Sequence, residues 1–218
     1  MRFVDYTIAA LKRAAVPVIY RYPPFGLQPE RLATYLSGLL ARTHLAGDVA
    51  EIGCNLAGTS AIAFRMLRRT GWTGNYICYD TFGGFVPEQF DADVKLGTQE
   101  FRRDWFAANS KQLVKRILKQ HDATGVRLVE GDITKIPDSE LSPAYSVVLL
   151  DIDLSEPTYE ALKRFWPRLV EGGVIYVDDC PENYDWKARA GYARFCQEIG
   201  VPERYQYGFG VLEKGVSL

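Results

Sequence analysis

The chain has 218 residues, of which 47% are hydrophobic and 24% are charged, a balance typical of one globular domain with a buried core. Its 26 Lys and Arg residues nearly cancel its 27 Asp and Glu residues. A net charge of −1 provides no overall basic field, so we expect a small partner, no nucleic acid and no membrane. The sequence leaves open whether the chain forms a homo-oligomer.

The four cysteines, Cys54, Cys78, Cys180 and Cys196, are widely spaced and include no CxxC pair. This pattern disfavours both a zinc site and a disulfide framework, and it predicts reduced thiols in the core. The opening stretch MRFVDYTIAALKRAAVPVIY has too short an apolar run for a signal sequence or a membrane span. We therefore expect a cytoplasmic protein.

The first 45 residues predict a helical cover over a core of residues 46–218, within one domain that spans residues 1–218. A helix is expected at about residues 5–15, and the aromatic, proline-rich YRYPPFG follows at residues 20–26. A second helical pattern begins near Gln28, with leucines and a tyrosine on one face.

From residue 46 onward, short apolar runs alternate with helical patterns. The predicted strands are DVAEIG, GNYICYD, VRLVEGD, YSVVLLDID and GGVIYVDD. The predicted helices span residues 59–69, a long stretch ending near His121, residues 156–169 and residues 185–199. ERYQYG and GVLEK predict a closing hairpin. This order indicates an α/β fold whose parallel sheet is covered on both faces and binds ligands at the carboxyl ends of its strands.

The turn after the first strand reads EIGCNLAGTS, in which Gly53 and Gly58 flank a loop that opens a helix at Thr59. Glycine allows the backbone to approach a ligand, and a helix N-terminus favours an anion. The turn is not a phosphate loop, because Thr59 stands in place of the lysine. It also misses GxGxxG, because Asn55 replaces the second glycine.

Acidic residues at the strand ends suggest an adenosine ligand that carries a carboxylate. Asp80 can accept both hydroxyls of a ribose, Asp132 would border the adenine, and Glu51 is available to a cationic amino group. S-adenosylmethionine has these parts. The alternative is that Gly58 only turns the chain and Asp80 faces water. The predicted cofactor residues are Glu51, Gly53, Asn55, Gly58, Thr59, Ser60, Asp80, Thr81, Gly131, Asp132, Ile133 and Asp151.

Five blocks between Gly47 and Asp179 resemble a known family: GDVAEIGCNLAGTSA, YDTFGGF, VEGDI, LLDIDLSEPTYEAL and LVEGGVIYVDD. They resemble the class I S-adenosylmethionine-dependent methyltransferases and, within these, the macrocin O-methyltransferase-like (TylF-like) sugar methyltransferases. The resemblance implies a Rossmann-like, seven-stranded, mostly parallel sheet with a C-terminal antiparallel hairpin, and magnesium as the metal. Where this family usually reads DGDLYEST, the chain reads DIDLSEPT, so Ile152 replaces a glycine and Ser155 a tyrosine.

Paired carboxylates follow the fourth and fifth predicted strands. Neighbouring strands lie ~4.8 Å apart, so Asp151, Asp178 and Asp179 can converge on one ion. Oxygen donors without histidine or cysteine suit a hard cation such as Mg²⁺. Methyl transfer needs a deprotonated hydroxyl, and Asp151 is the first candidate for the catalytic base. Asp153 is the second candidate and is as well explained as a helix cap.

Two further groups of residues are candidates for the site. His44 and His121 are the only histidines, neither follows a predicted strand, and His121 is a weaker alternative for the base. Acceptor selectivity is expected in residues 17–27 and 82–110, whose aromatic residues can either stack on a sugar or pack in the core and cover. These aromatic residues are Tyr20, Tyr22, Phe25, Phe82, Phe85, Phe90 and Trp105.

The sequence thus favours an S-adenosylmethionine- and Mg²⁺-dependent O-methyltransferase whose acceptor is a hydroxyl of a sugar, glycoside or oligosaccharide. A catechol-like phenol is a second possible acceptor, because two adjacent oxygens can chelate the same ion. A non-catalytic binding module with this fold is the third reading, and the dense acidic rim argues against it.

Overall fold

The computed structural model describes residues 3–215, which form one seven-stranded sheet in the order β3-β2-β1-β4-β5-β7-β6. The first five strands pair in parallel, whereas β7 runs antiparallel to both β5 and β6. The predicted α/β fold and its closing hairpin are therefore confirmed. The strands are β1 (Asp48–Ile52), β2 (Tyr76–Asp80), β3 (Arg127–Glu130), β4 (Tyr145–Leu150), β5 (Leu169–Val177), β6 (Tyr205–Gln206) and β7 (Phe209–Glu213).

Helices connect the strands and lie on both faces of the sheet. They are α1 (Phe3–Ala14), α2 (Val16–Ile19), α3 (Pro29–Ala41), α4 (Gly58–Arg69), α5 (Pro87–Lys95), α6 (Lys111–Gln120), α7 (Ser155–Phe165) and α8 (Ala188–Ile199). None of the helices described within residues 3–215 combines the length and the apolar character that crossing a bilayer demands.

The central strands are buried on both faces, and successive side chains of a strand belong to different cores. In β4, Val147 and Leu149 pack in the cluster that includes residues of α3 and α4. Val148 and Leu150 pack in the cluster with residues of α7 and α8. This alternation follows from the period of two in a strand and explains why these runs are apolar throughout.

The prediction of one long helix that ends near His121 is wrong. The chain instead forms α5, a 3-10 turn at Glu100–Arg102 and then α6. Gly97 adopts a φ of +105° just after α5, a conformation that most residues avoid. Ser110 begins the next helix, because its side chain accepts a hydrogen bond from the amide of Leu113.

The last two helices are also shorter than predicted. α7 ends at Phe165, followed by a 3-10 turn at Trp166–Arg168 that contains Pro167. Proline has no amide hydrogen and clashes with the preceding helical turn, so the chain leaves the helix and β5 begins at once. α8 begins at residue 188 rather than 185.

Candidate functional site

A cavity of about 350 Å³ lies at the carboxyl ends of the parallel strands. Strand order reverses between β1 and β4, which is the point where ligands bind in sheets of this kind. All the residues that the sequence predicts for the cofactor line this cavity except Ser60. Ser60 is fully buried, and its hydroxyl donates to Glu51 at 2.7 Å.

Asp80 holds together two of the loops that form the cavity. One carboxylate oxygen accepts the amide hydrogen of Asn55 at 2.8 Å, and the other accepts that of Phe82 at 2.7 Å. Asn55 and Phe82 both have a positive φ, so the loops adopt strained backbone that these bonds help to retain. Burial raises the pKa of Asp80, and the two amide donors oppose that rise. Asp80 lines the cavity, so its oxygens can accept hydrogen bonds from ligand hydroxyls.

Glu51 is 2% exposed and belongs to a buried chain of hydroxyl groups. It accepts hydrogen bonds from Ser60 and from Tyr76 (2.5 Å), and the Tyr76 hydroxyl lies 2.8 Å from that of Tyr35 on α3. Burial raises the pKa of Glu51 to about 7, although both donors lower it. This series of hydrogen bonds links β1, through Glu51, to the covering helix α3, through Tyr35.

The two glycines of the first turn are needed for contacts within the chain. A Cβ on Gly53 would lie 1.8 Å from the carbonyl oxygen of Asp151. A Cβ on Gly58 would lie 2.3 Å from the carbonyl carbon of Pro24, in the covering segment. Gly58 lines the cavity, but a side chain added at Gly58 would first meet the backbone of the cover.

Three carboxylates converge on one side of the cavity: Asp151, Asp153 and Asp179 each offer an oxygen atom within 4.8 Å of the other two. Asp153 and Asp179 have φ angles of +62° and +59°, a strained backbone that turns their side chains at the strand ends. The sequence predicts Asp178 rather than Asp153 as the third member. The structure pairs Asp178 with an arginine instead.

Arg31, which the sequence-based interpretation missed, extends from α3 to the paired carboxylates. Its guanidinium contacts Asp178 and lies 3.1 Å from Asp179, and the residue is only 3% exposed. Its buried Nε has no hydrogen-bond partner among the described residues. The only signal in the sequence is one charged residue on the apolar side of the helix that begins near Gln28.

Burial and neighbouring negative charges disfavour the charged forms of Asp151, Asp153 and Asp178. The pKa of Asp151 is raised well above its usual value by burial and then by the charges of Asp178 and Asp179. Burial and Asp179 likewise raise the pKa of Asp153. The pKa of Asp178 is about 6, because burial and Asp179 raise it while Arg31 lowers it. A divalent cation among Asp151, Asp153 and Asp179 would relieve this repulsion, and an all-oxygen set fits Mg²⁺.

Aromatic residues form another part of the cavity wall. Of the seven predicted candidates, Phe85 and Trp105 line the cavity. Tyr20, Phe82 and Phe90 are buried in packing clusters, and Tyr22 and Phe25 are exposed. The Phe85 ring lies 5.5 Å from that of Trp186. Four other aromatic residues line the cavity and were not predicted: Tyr79 within β2, and Phe106, Tyr184 and Trp186, which lack strand-end or motif signals.

His121 is not placed to act as a base at this site. It caps the C-terminus of α6 and is buried, and the chain then enters β3 at its first residue. It therefore lies towards the amino ends of the parallel strands, whereas the cavity lies at their carboxyl ends. His44 likewise precedes β1.

The chain is similar in sequence or in fold to several O-methyltransferases. It is 27% identical over 153 residues to the demethyldecarbamoylnovobiocin O-methyltransferase of Streptomyces niveus; the match covers 63% of this chain but only 55% of that relative. The solved O-methyltransferase NovP has a TM-score of 0.74 at 17% identity, with 96% of this chain and 99% of that chain covered. CalS11, a TDP-rhamnose 3'-O-methyltransferase of calicheamicin biosynthesis, has a TM-score of 0.58 at 20% identity, with 96% and 94% covered.

At these identities the solved structures support the fold alone. The family is shown by a separate match: residues 50–180 match the family model described as a methyltransferase domain. This range carries the first turn, Asp80, Asp132 and the four strand-end aspartates Asp151, Asp153, Asp178 and Asp179. This range covers well over half of the chain. The chain belongs to the methyltransferase-domain family.

Proposed function

We propose that the chain is an O-methyltransferase that uses S-adenosylmethionine and Mg²⁺ to methylate a hydroxyl of a sugar, glycoside or oligosaccharide. One observation carries the proposal: the acidic residues suited to the cofactor and the three carboxylates suited to a cation line one cavity. This arrangement can place a methyl donor and a hydroxyl acceptor side by side. Fixed proximity of that kind accounts for a large part of enzymatic rate enhancement.

The cofactor side consists of strand-end acids whose orientation the loops already hold. Asp80, fixed by two amide hydrogens, is expected to accept the ribose hydroxyls. Asp132 is held by Gln89 at 3.1 Å and by the amide of Thr134 at 2.9 Å, and it is expected to border the adenine. Glu51 would face the cationic amino group. When bound, S-adenosylmethionine supplies an electrophilic methyl group on a sulfonium.

The metal side orients the acceptor hydroxyl and removes its proton. Asp151, Asp153 and Asp179 would hold Mg²⁺, which when bound lowers the pKa of an acceptor hydroxyl. Asp151 remains the first candidate for the base and Asp153 the second, because both carboxylates line the cavity where the acceptor hydroxyl would lie. Arg31 stabilises the charges of Asp178 and Asp179, so that Asp179 stays beside the other two.

The aromatic wall and the relatives favour a sugar acceptor. Phe85, Trp105 and Trp186 provide flat apolar surfaces on which a sugar or a ring-bearing glycoside can stack. CalS11 acts on TDP-rhamnose by its name, and a TylF-like specificity of this chain would agree with that chemistry. The aromatic wall would also accommodate a phenol, which makes catechols the second class of candidate acceptors.

The test is a methyl-transfer assay with labelled S-adenosylmethionine against a panel of saccharides, glycosides and catechols, with Mg²⁺ or with EDTA. We expect transfer to a sugar hydroxyl that EDTA stops and Mg²⁺ restores. Transfer to catechols alone would show that the acceptor is a phenol and not a sugar. If no acceptor is methylated and calorimetry detects no S-adenosylhomocysteine binding, the proposed enzyme activity is wrong.

A further inference from the structure

The first helix presents an apolar stripe to solvent instead of to the core. Val4, Ile8 and Leu11 recur at helical spacing along α1, and Leu11 is 66% exposed. The residues that face the protein are smaller or polar: Ala9 is buried, and Lys12 donates to the carbonyl of Ala108 at 3.3 Å. A stripe of this kind normally faces a partner.

The apolar surface continues beyond α1 towards the cavity. Val18 is 77% exposed and Tyr22 is 80% exposed, and Ile19 and Phe25 are also exposed. Within residues 3–215 no part of the chain covers these side chains. The segment then enters the cavity wall, which it lines with Pro24 and Gly26. The exposed surface therefore reaches the rim of the candidate site.

The elements around this apolar surface are strongly basic. Helices α1 and α2 both pack against α6. α6 carries Lys111, Lys115, Arg116 and Lys119 and contains no acidic residue. Its apolar residues turn inward, whereas Lys115, Arg116 and Lys119 are exposed.

The covering segment adds further positive charge. Residues 3–25 contain Lys12, Arg13 and Arg21 against one acidic residue, Asp5. The net charge of −1, which argued against an anionic lipid partner, is therefore an average that conceals a basic surface on this side of the molecule.

We propose that α1, α2 and α6 form a docking surface for a membrane containing anionic phospholipids. The apolar side chains would enter the interface, and the surrounding Lys and Arg side chains would meet lipid phosphates, as in amphipathic helices that lie on membranes. A second copy of the chain fits less well, because a two-fold interface would bring these basic surfaces towards each other. Docking is independent of the proposed methyl transfer and is tested without it.

The experiment is co-sedimentation of the full chain with vesicles of phosphatidylcholine alone or with 30% phosphatidylglycerol. We expect binding to the anionic vesicles only, weakened by 0.5 M NaCl. Leu11→Glu with Val18→Glu should reduce the bound fraction at least tenfold, and Lys115→Gln with Lys119→Gln should reduce it severalfold. Phe101→Glu, which changes an exposed apolar residue elsewhere, is the matched control and should bind as wild type does.

Circular dichroism and cofactor-analogue binding establish that the variants remain folded. Equal sedimentation with and without anionic lipid, or none with either vesicle, would overturn the proposal. A dimer in light scattering that Leu11→Glu with Val18→Glu converts into a monomer would assign the surface to a second copy and would also overturn it.

Discussion

The guanidinium of Arg31 lies 3.1 Å from the carboxylate of Asp179, although the two residues are 148 positions apart in sequence. The same nitrogen contacts Asp178, and all three side chains are buried. A helix of the cover thus places a positive charge beside two adjacent buried carboxylates. The cover is part of the electrostatics of the site and not only a lid over it.

Removing this charge should destabilise the protein. Arg31→Met leaves two buried carboxylates without a counter-charge, and we expect the free energy of unfolding at pH 7 to fall by about 3 kcal/mol. Urea denaturation provides the measurement. Arg127→Met, which breaks an exposed pair with Glu140, is the matched control and should cost less than about 1 kcal/mol. Similar losses in the two variants would show that the Arg31 pair contributes no more than a surface pair.

The contact between Gly58 and Pro24 gives a second prediction. A methyl group on Gly58 would overlap the backbone of the cover, so Gly58→Ala should lower the free energy of unfolding by about 2 kcal/mol and make residues 20–28 more accessible to protease. Gly26→Ala lies in the same segment and meets nothing within 4 Å, so it should leave both measurements unchanged. Equal protease sensitivity of the two variants would contradict the contact.

The sheet could be predicted because each strand and each turn is indicated by the residues that form it. Each parallel strand is an apolar run that ends near a glycine or an acid, and the last two runs are separated by a turn, so strand order and the position of the site follow from general rules. Asp80 and Asp151 are found in this way, because Asp80 ends β2 and Asp151 directly follows β4. The helix ends were predicted less accurately, because Pro167 and Gly97 interrupt helices in stretches whose apolar spacing is otherwise helical.

The site residues that could not be predicted from the sequence are placed by contacts between segments that are distant in the chain. Nothing near Arg31 indicates that it reaches Asp178, and nothing near Gly58 indicates that Pro24 lies against it. Trp186 lines the cavity only because the chain after β5 folds back across the strand ends. Such relationships are set by tertiary packing, and a single sequence does not record them.

Glu51 should make the stability of the protein depend on pH. Its pKa is raised to about 7 in the folded state, so the folded protein binds a proton that the unfolded chain has already released. The contribution of Glu51 to stability is therefore fully present below about pH 4.5 and is lost as the pH rises through about 7. Between pH 5 and pH 8 the wild type should lose about 2 kcal/mol more than Glu51→Gln does. The free energy of unfolding of both proteins is measured by urea denaturation across this pH range. An equal change in the wild type and in Glu51→Gln would show that Glu51 does not cause the pH dependence.

Trp105 should contribute to acceptor binding but not to cofactor binding. It is half exposed and lines the cavity, and Arg102 stacks on it at 4.6 Å. Trp105→Ala removes a stacking surface, and we expect the acceptor KM to rise about fivefold, equivalent to about 1 kcal/mol. Its control is Phe101→Ala, an exposed neighbour outside the cavity wall. A rise in the Kd for S-adenosylhomocysteine would place Trp105 on the cofactor side instead.

Substitutions of Asp153 and Asp178 distinguish two possible ligand sets for the metal, one that includes Asp153 and one that includes Asp178. Because the oxygens of Asp153 converge with those of Asp151 and Asp179 while Asp178 pairs with Arg31, Asp153→Asn should weaken Mg²⁺ binding more than Asp178→Asn does. We expect at least a thirtyfold loss of affinity for Asp153→Asn, equivalent to about 2 kcal/mol.

Calorimetric titration with Mg²⁺ measures these affinities without any acceptor. Asp178→Asn should instead lower the free energy of unfolding, because Arg31 then keeps only one charged partner. Asp93→Asn is the matched control: Asp93 is buried, caps α7 through the amide of Ser155 and is not one of the three carboxylates that converge. It should reduce stability and leave the Mg²⁺ affinity unchanged. If Asp178→Asn abolishes Mg²⁺ binding while Asp153→Asn retains it, the metal is held by Asp151, Asp178 and Asp179, and Arg31 must release Asp178 when the ion binds.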